Sequence, residues 1–123
     1  MEPMITLKTL PQATEQEVFD QVTKHLLEQN KKSMKRIDGK DTCSYRGDDG
    51  LKCAAGCLIA DDEYNPKIEN CSWDCLEERG GIPAEHARLI ELLQHIHDSK
   101  DVGRWRGLLR ALCEEEQLTW NFQ

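Results

Sequence analysis

Residues 43–64 constrain the fold more than any other part of the chain. They contain three of the six cysteines and the turn sequence Asp48-Asp49-Gly50. Asp-Gly between short strand-like runs is typical of a β-hairpin, because glycine tolerates the positive φ that such a turn needs. The sequence therefore predicts a hairpin that pairs residues 42–46 with residues 51–53. It also predicts a short buried helix over residues 53–59, where Ala54, Ala55 and Gly56 allow another element to approach closely.

Helical patterns flank this segment on both sides. Thr14 and Glu17 form a capping-box pattern, and apolar residues at helical spacing follow them, which predicts a helix over residues 14–30. The polar residues 31–42 are interpreted as a connecting loop. Further along the chain, Ser72 is placed to cap a short helix that the glycine pair 80–81 ends.

Two more helices are expected in the last third of the chain. Pro83 suits the first turn of a helix that ends near residue 99, and Ser99 or Asp101 suits the cap of the last one. Residues 1–13 are expected to form an extended arm, and the tail 118–123 is expected to dock on the domain, beside Ile5 and Leu7. Together the patterns predict one compact domain over residues 1–123. It is mainly α, with four to five helices and one small β-hairpin, and α+β at most.

The charge distribution bears on the kind of partner. The net charge is -7, and residues 41–123 hold seventeen acidic against nine basic side chains. Binding free nucleic acid needs clustered positive charge, so the balance argues against a direct nucleic-acid partner. One small basic cluster exists and is interpreted as a solvated helix end and loop: Lys31, Lys32, Lys35, Arg36 and Lys40.

The sequence also indicates in which cellular compartment the protein is found. No run approaches the roughly 20 apolar residues of a membrane helix, and the first residues lack the pattern of a signal peptide. We therefore expect a cytoplasmic protein with no membrane partner. In a reducing compartment its cysteines are expected to be thiols or metal-bound thiolates.

A zinc site is one interpretation of the central cysteines. The predicted hairpin brings Cys43 towards Cys53 and Cys57, which are four residues apart and share one face of a helix. Cys71, Cys75 or a histidine is then available as a fourth ligand of a tetrahedral site. No CxxC knuckle is present, so the simpler interpretation is buried free thiols and no cofactor.

Catalysis by a Cys–His pair is the least specific alternative. Cys53 or Cys57 is the candidate nucleophile, but the sequence gives no spacing that ties either one to a histidine. No phosphate loop, dinucleotide fingerprint or nucleophile elbow is present, so no catalytic residue is assigned. The binding residues that the central segment is expected to present at the surface are Tyr45, Arg46, Lys52, Asp61 and Asp62.

The central segment, residues 43–64, also resembles the sequences of a protein family. Its pattern C-x-Y-R-x-x-x-G-x-K-C-A-x-G-C-L-I-x-D-x-x-Y, from Cys43 to Tyr64, resembles a group of small uncharacterised proteins of tailed phages and prophages. The similarity extends over most of the chain, although Cys71 and Cys75 lie outside the pattern. The resemblance implies a small accessory protein made inside an infected bacterial cell, and it brings no known activity.

Three functions follow from these observations. The first is a protein that binds a host protein, as an inhibitor of a defence or nucleic-acid-processing factor, through an acidic surface. The second is a zinc-stabilised module that binds a ligand or nucleic acid through Tyr45, Arg46 and Lys52. The third is a small cysteine-dependent enzyme.

Overall fold

Between residues 4 and 122 the chain forms four α-helices and one two-stranded antiparallel sheet, with short 3₁₀ turns between them. The computed structural model describes residues 4–122. In chain order its elements are α1 Glu15–Gln29, β1 Met34–Ile37, β2 Lys40–Cys43, α2 Trp73–Glu78, α3 Ala87–Ser99 and α4 Trp105–Glu115. The predicted fold class, mainly helical with one small hairpin in a compact domain, is confirmed.

Helix α1 forms where the capping box predicts it. The hydroxyl of Thr14 accepts from the backbone N–H of Glu17 at 3.1 Å, and the Glu17 carboxylate accepts from the Thr14 N–H at 2.8 Å. The helix ends at Asn30, which adopts a left-handed conformation with φ of 53°. Its apolar side is buried and faces α3 and α4.

The hairpin lies elsewhere than predicted. Strands β1 and β2 pair from Met34 with Cys43 to Ile37 with Lys40, around a two-residue turn at Asp38 and Gly39. The interpretation of residues 31–42 as a loop is therefore wrong. The predicted turn at Asp48–Gly50 is a single 3₁₀ turn, and its flanks pair only through one antiparallel bridge between Arg46 and Lys52.

Two predicted helix boundaries also need correction. Residues 53–59 are buried as predicted, but they form one 3₁₀ turn, Gly56–Leu58, and not a helix. Helix α3 begins at Ala87, after His86 in a left-handed conformation with φ of 64°, so Pro83 lies in the preceding loop. In α2, Ser72 caps the first turn as predicted, accepting from the Cys75 N–H at 3.1 Å.

One core joins the helices to residues 53–59. Helix α3 contacts both α1 and α4, and the 3₁₀ turn at Gly56–Leu58 packs on α1. The largest fully buried side chains are Trp73, Trp105, Phe19, Leu10, Leu26, Leu58, Ile59, Leu89, Ile90, Leu93, Leu109 and His97. No helix in the described part of the chain combines the length and apolarity that a membrane span needs.

The ends of the described chain lie against α1. Residues 4–13 are not extended, because they contain a turn and the 3₁₀ helix Leu10–Gln12. Ile5 and Phe122 line the same groove beside α1, which has a volume of about 440 Å³. The predicted arm and tail also include residues 1–3 and 123, which lie outside the described residues.

Candidate functional site

Gly56 and Tyr45 make the closest backbone approach of the central segment. A Cβ atom at Gly56 would lie 2.2 Å from the Tyr45 carbonyl oxygen, far inside van der Waals contact. Only glycine fits there without displacing backbone. This contact holds the buried turn at residues 56–58 against the strand-like stretch that carries Tyr45 and Arg46.

Tyr45 is buried and does not present a binding surface. Only 6% of the residue is exposed, and its hydroxyl donates to the Cys71 carbonyl at 2.5 Å. Its backbone N–H donates to Glu69, as does the N–H of Arg46. Burial is the largest cause that raises the pKa of the Tyr45 hydroxyl above its ordinary value. The interpretation of Tyr45 as a surface residue is therefore wrong.

Arg46 lies partly buried between three groups. Its guanidinium donates to the carboxylate of Asp61 at 2.5 Å and to the carbonyl of Ile59 at 2.6 Å. It also lies over the ring of Tyr64, 5.1 Å from the ring centroid. The hydrogen bond and the positive charge of Arg46 lower the pKa of the Asp61 carboxyl, which therefore stays ionised. Arg46 consequently acts from within the molecule to orient Asp61.

The loop that carries Asp61 and Asp62 is fixed from its other side by Glu63. The Glu63 carboxylate accepts from the backbone N–H groups of Leu7 at 3.0 Å, Lys8 at 3.0 Å and Ala60 at 2.9 Å. Asp61 and Asp62 are exposed, and the Asp61 side chain is 88% exposed. The result is an immobilised loop that projects two adjacent carboxylates into solvent.

Lys52 joins this region through its backbone. It forms the β-bridge with Arg46, and its N–H donates to the side-chain oxygen of Gln29 at 3.0 Å. Its carbonyl accepts from His25 and from Gln29, both at 2.8 Å. Of the five predicted binding residues, the structure thus brings Arg46 and Asp61 into contact and leaves Asp62 beside them. Lys52 pairs with Arg46 only through the main chain.

The three central thiols do not form one ligand group. Cys53 and Cys57 are buried, and the Cys57 thiol donates to the Ala54 carbonyl at 3.1 Å. The Cys53 sulfur accepts from the Gly56 N–H at 3.3 Å. Among the described residues, the potential metal-ligating atoms that do gather within 4.8 Å belong to Cys43, His97 and Asp98.

The hydrogen bonds within this second cluster argue against binding of a metal ion by Cys43, His97 and Asp98. The backbone N–H of Ser33 donates to Nε2 of the buried His97 at 2.9 Å, so that nitrogen must carry a lone pair. The ring proton is then on Nδ1, which donates to Asp98 at 2.7 Å. Binding a metal through Nδ1 while Nε2 accepts would require a fully deprotonated imidazole. The cluster is therefore better described as an anchor that ties the start of the hairpin to α3.

The same geometry bears on nucleophilic catalysis. Neither nitrogen of His97 is free to accept a proton from Cys43, because one accepts from Ser33 and the other donates to Asp98. Burial and the nearby Asp98 carboxylate raise the pKa of the Cys43 thiol. Burial likewise raises the pKa of Cys57 to about 12 and also raises that of Cys53. Since the thiolate is the nucleophile, these three thiols are poorly reactive at neutral pH.

A cleft of about 410 Å³ opens between the hairpin, α2 and α3. Cys43, Tyr45, Trp73, Glu91 and Asp98 contribute to its walls. Trp73 is 2% exposed, and its indole N–H has no acceptor among the described residues. The sequence gives no sign of this cleft, because its walls come from elements that are distant along the chain.

Comparison of the chain with models of protein families, with curated proteins and with solved structures gives no match.

Proposed function

We propose that the protein acts by binding a host protein, and that the loop carrying Asp61 and Asp62 forms part of the contact surface. The resemblance of residues 43–64 to small proteins of tailed phages and prophages supports the host context. In this proposal the chain is an accessory protein in the cytoplasm of an infected bacterial cell. It inhibits a defence or nucleic-acid-processing factor by occupying a basic surface.

The immobilised acidic loop is the observation that carries this proposal. Glu63 fixes one side of the loop through three backbone N–H groups, and Arg46 fixes Asp61 on the other side. A loop that is already ordered loses little conformational entropy when a partner binds. Its two carboxylates are nevertheless exposed, and Arg46 lowers the pKa of Asp61, which suits recognition and not internal packing.

The wider charge distribution favours a basic partner surface. Of the seventeen acidic residues after position 40, Asp41, Asp61 and Glu116 are the ones that pair with an arginine within the described residues. The remaining carboxylates add to a negative field that steers positively charged surfaces towards the molecule. Carboxylates placed on a nucleic-acid-binding channel would occupy positions otherwise taken by phosphates.

The test compares two double variants that remove the same charge. The protein is used to capture partners from a host lysate, and the affinity of each purified partner is then measured by calorimetry. We expect D61N/D62N to weaken binding about tenfold or more, because an interface residue at the centre of a contact contributes more than about 1 kcal/mol. The control, E114Q/E115Q, removes two exposed carboxylates at the end of α4 and should change the affinity less than about threefold.

Two results would contradict the proposal in different ways. If no host protein is enriched over a variant with a rearranged surface, the binding function is wrong. If both double variants weaken binding equally, net charge alone explains the affinity, and the loop is not the contact site.

A further inference from the structure

The pairing of β1 and β2 determines which backbone groups of the hairpin point outward. Asp38 and Gly39 both have positive φ, 51° and 78°, as a two-residue type I′ turn requires. In such a hairpin the pair next to the turn is hydrogen-bonded, and bonded pairs then alternate with non-bonded ones. The Ser44 N–H donates to the Ser33 carbonyl at 2.9 Å, which continues this alternation. The backbone groups of Arg36 and Asp41, which face each other, therefore point away from the ladder.

The two edges of the hairpin differ in how these groups are used. On the β1 edge the outward N–H of Arg36 donates to the Asp48 carboxylate at 3.2 Å, so a side chain covers this edge. On the β2 edge the corresponding residues are Asp41 and Cys43. Within residues 4–122 their outward backbone groups have no hydrogen-bond partner. Strand β2 is therefore an open edge of the kind that accepts another strand.

One face of the hairpin is basic, whereas on the other face Arg36 and Asp41 pair with each other. Lys35 and Ile37 alternate onto one face of the hairpin, together with their partners Thr42 and Lys40. Lys35 and Lys40 are exposed, and Ile37 is 39% exposed. Lysines on an edge strand discourage pairing with a strand of like charge, and a second copy of this chain would bring the same lysines. A strand that carries carboxylates would instead be attracted.

We propose that the β2 edge binds an extended acidic segment of a partner polypeptide, which adds to the hairpin as a third strand. The main chain of the segment bonds to the outward N–H and carbonyl groups of Asp41. Its carboxylates lie beside Lys40, and Lys35 lies on the next strand of the same face. This binding surface does not include the loop of Asp61 and Asp62, so it stands independently of the function proposed above.

The first experiment measures amide hydrogen exchange in the whole protein by nuclear magnetic resonance. In the free protein the Asp41 amide should exchange about tenfold or more faster than the Lys40 amide, because the latter lies in the ladder. The probe is a synthetic peptide of about ten residues that alternates glutamate and valine. Its addition should slow exchange of the Asp41 amide, and a peptide that alternates lysine and valine should leave it unchanged.

Two variants at one position separate the backbone from the side chain. D41P removes the carboxylate and also a backbone N–H that the hairpin does not use, and Lys40 before it already has the extended conformation that proline favours. D41A keeps that N–H and removes the same carboxylate. We expect D41P to weaken peptide binding about tenfold or more, and D41A to bind at least as tightly as the parent protein.

Three outcomes would overturn the inference. The first is a glutamate–valine peptide that fails to protect the Asp41 amide, and the second is undiminished binding by a correctly folded D41P variant. The third is slower hydrogen exchange of the Asp41 amide at higher protein concentration without any peptide. That result would show that the edge pairs with a second copy of the chain.

Discussion

At the scale of single residues, two glycines of the chain illustrate opposite requirements. Gly56 has no room for a side chain, since a Cβ atom there would meet the Tyr45 carbonyl oxygen at 2.2 Å. Gly107 lies on the exposed side of α4, and a Cβ atom there would meet no heavy atom within 4 Å. The same substitution should therefore change stability in opposite directions at the two positions.

We expect G56A to lower the free energy of unfolding by about 3 kcal/mol, because backbone has to move to admit the methyl group. G107A should raise it by about 0.5–1 kcal/mol, because alanine is the better helix former. Urea unfolding followed by circular dichroism measures both changes. A G56A protein as stable as the parent would show that residues 56–58 do not pack against Tyr45 as described.

At the scale of elements, the sequence correctly predicts where a helix begins when the first turn is capped by local hydrogen bonds. The capping box of Thr14 and Glu17 and the cap by Ser72 each involve residues three positions apart, so the sequence contains the whole interaction. The hairpin could not be placed in the same way. Asp-Gly occurs at residues 38–39 and at 49–50, and both aspartates adopt positive φ. The true hairpin has mostly exposed side chains and lacks the apolar alternation that identifies a half-buried strand.

The cap of α1 yields a prediction at this scale. T14A removes the acceptor of the Glu17 N–H and should lower the free energy of unfolding by about 1 kcal/mol. K24A, an exposed substitution in the middle of the same helix, should change it by less than about 0.5 kcal/mol. Thermal unfolding of the two variants beside the parent measures the difference. Equal stabilities of T14A and K24A would contradict a stabilising role for the cap.

At the scale of the whole molecule, the candidate site depends on contacts that no local pattern contains. Glu63 binds the N–H of Leu7 across 56 positions of sequence, and His97 binds the N–H of Ser33 across 64. Asp61 and Arg46 were both predicted as binding residues, but only the fold shows that the arginine orients the carboxylate. The burial of Tyr45 likewise follows from its packing beside Trp73 and Gly56.

Thiol reactivity reports on the whole fold. Cys43, Cys71 and Cys75 are half-buried, whereas Cys53, Cys57 and Cys113 are buried. In native protein we expect Cys71 and Cys75 to react with a thiol reagent, and Cys43 to react more slowly because burial and Asp98 raise its pKa. The three buried thiols should react only when the protein unfolds. Mass spectrometry of peptides labelled over time, with a sample in denaturant as the control, assigns each rate.

Fast labelling of Cys53 or Cys57 in native protein would contradict this expectation and favour the cysteine-dependent enzyme. Zinc binding by Cys43, Cys53 and Cys57 stays a prediction. Elemental analysis of the purified protein tests it, since a structural site would hold close to one zinc ion per chain.

The docking of residues 119–122 on α1 has a consequence for truncated forms of the protein. Gln16 exchanges two hydrogen bonds with Thr119, at 2.8 and 2.9 Å, and the Trp120 ring lies 6.3 Å from that of Phe19. Helix α1 is thus completed by residues about 100 positions further along the chain. A polypeptide truncated before Thr119 lacks these contacts and loses the cover that Trp120 gives to Phe19. Such truncated polypeptides are candidates for chaperone binding, because they expose apolar surface.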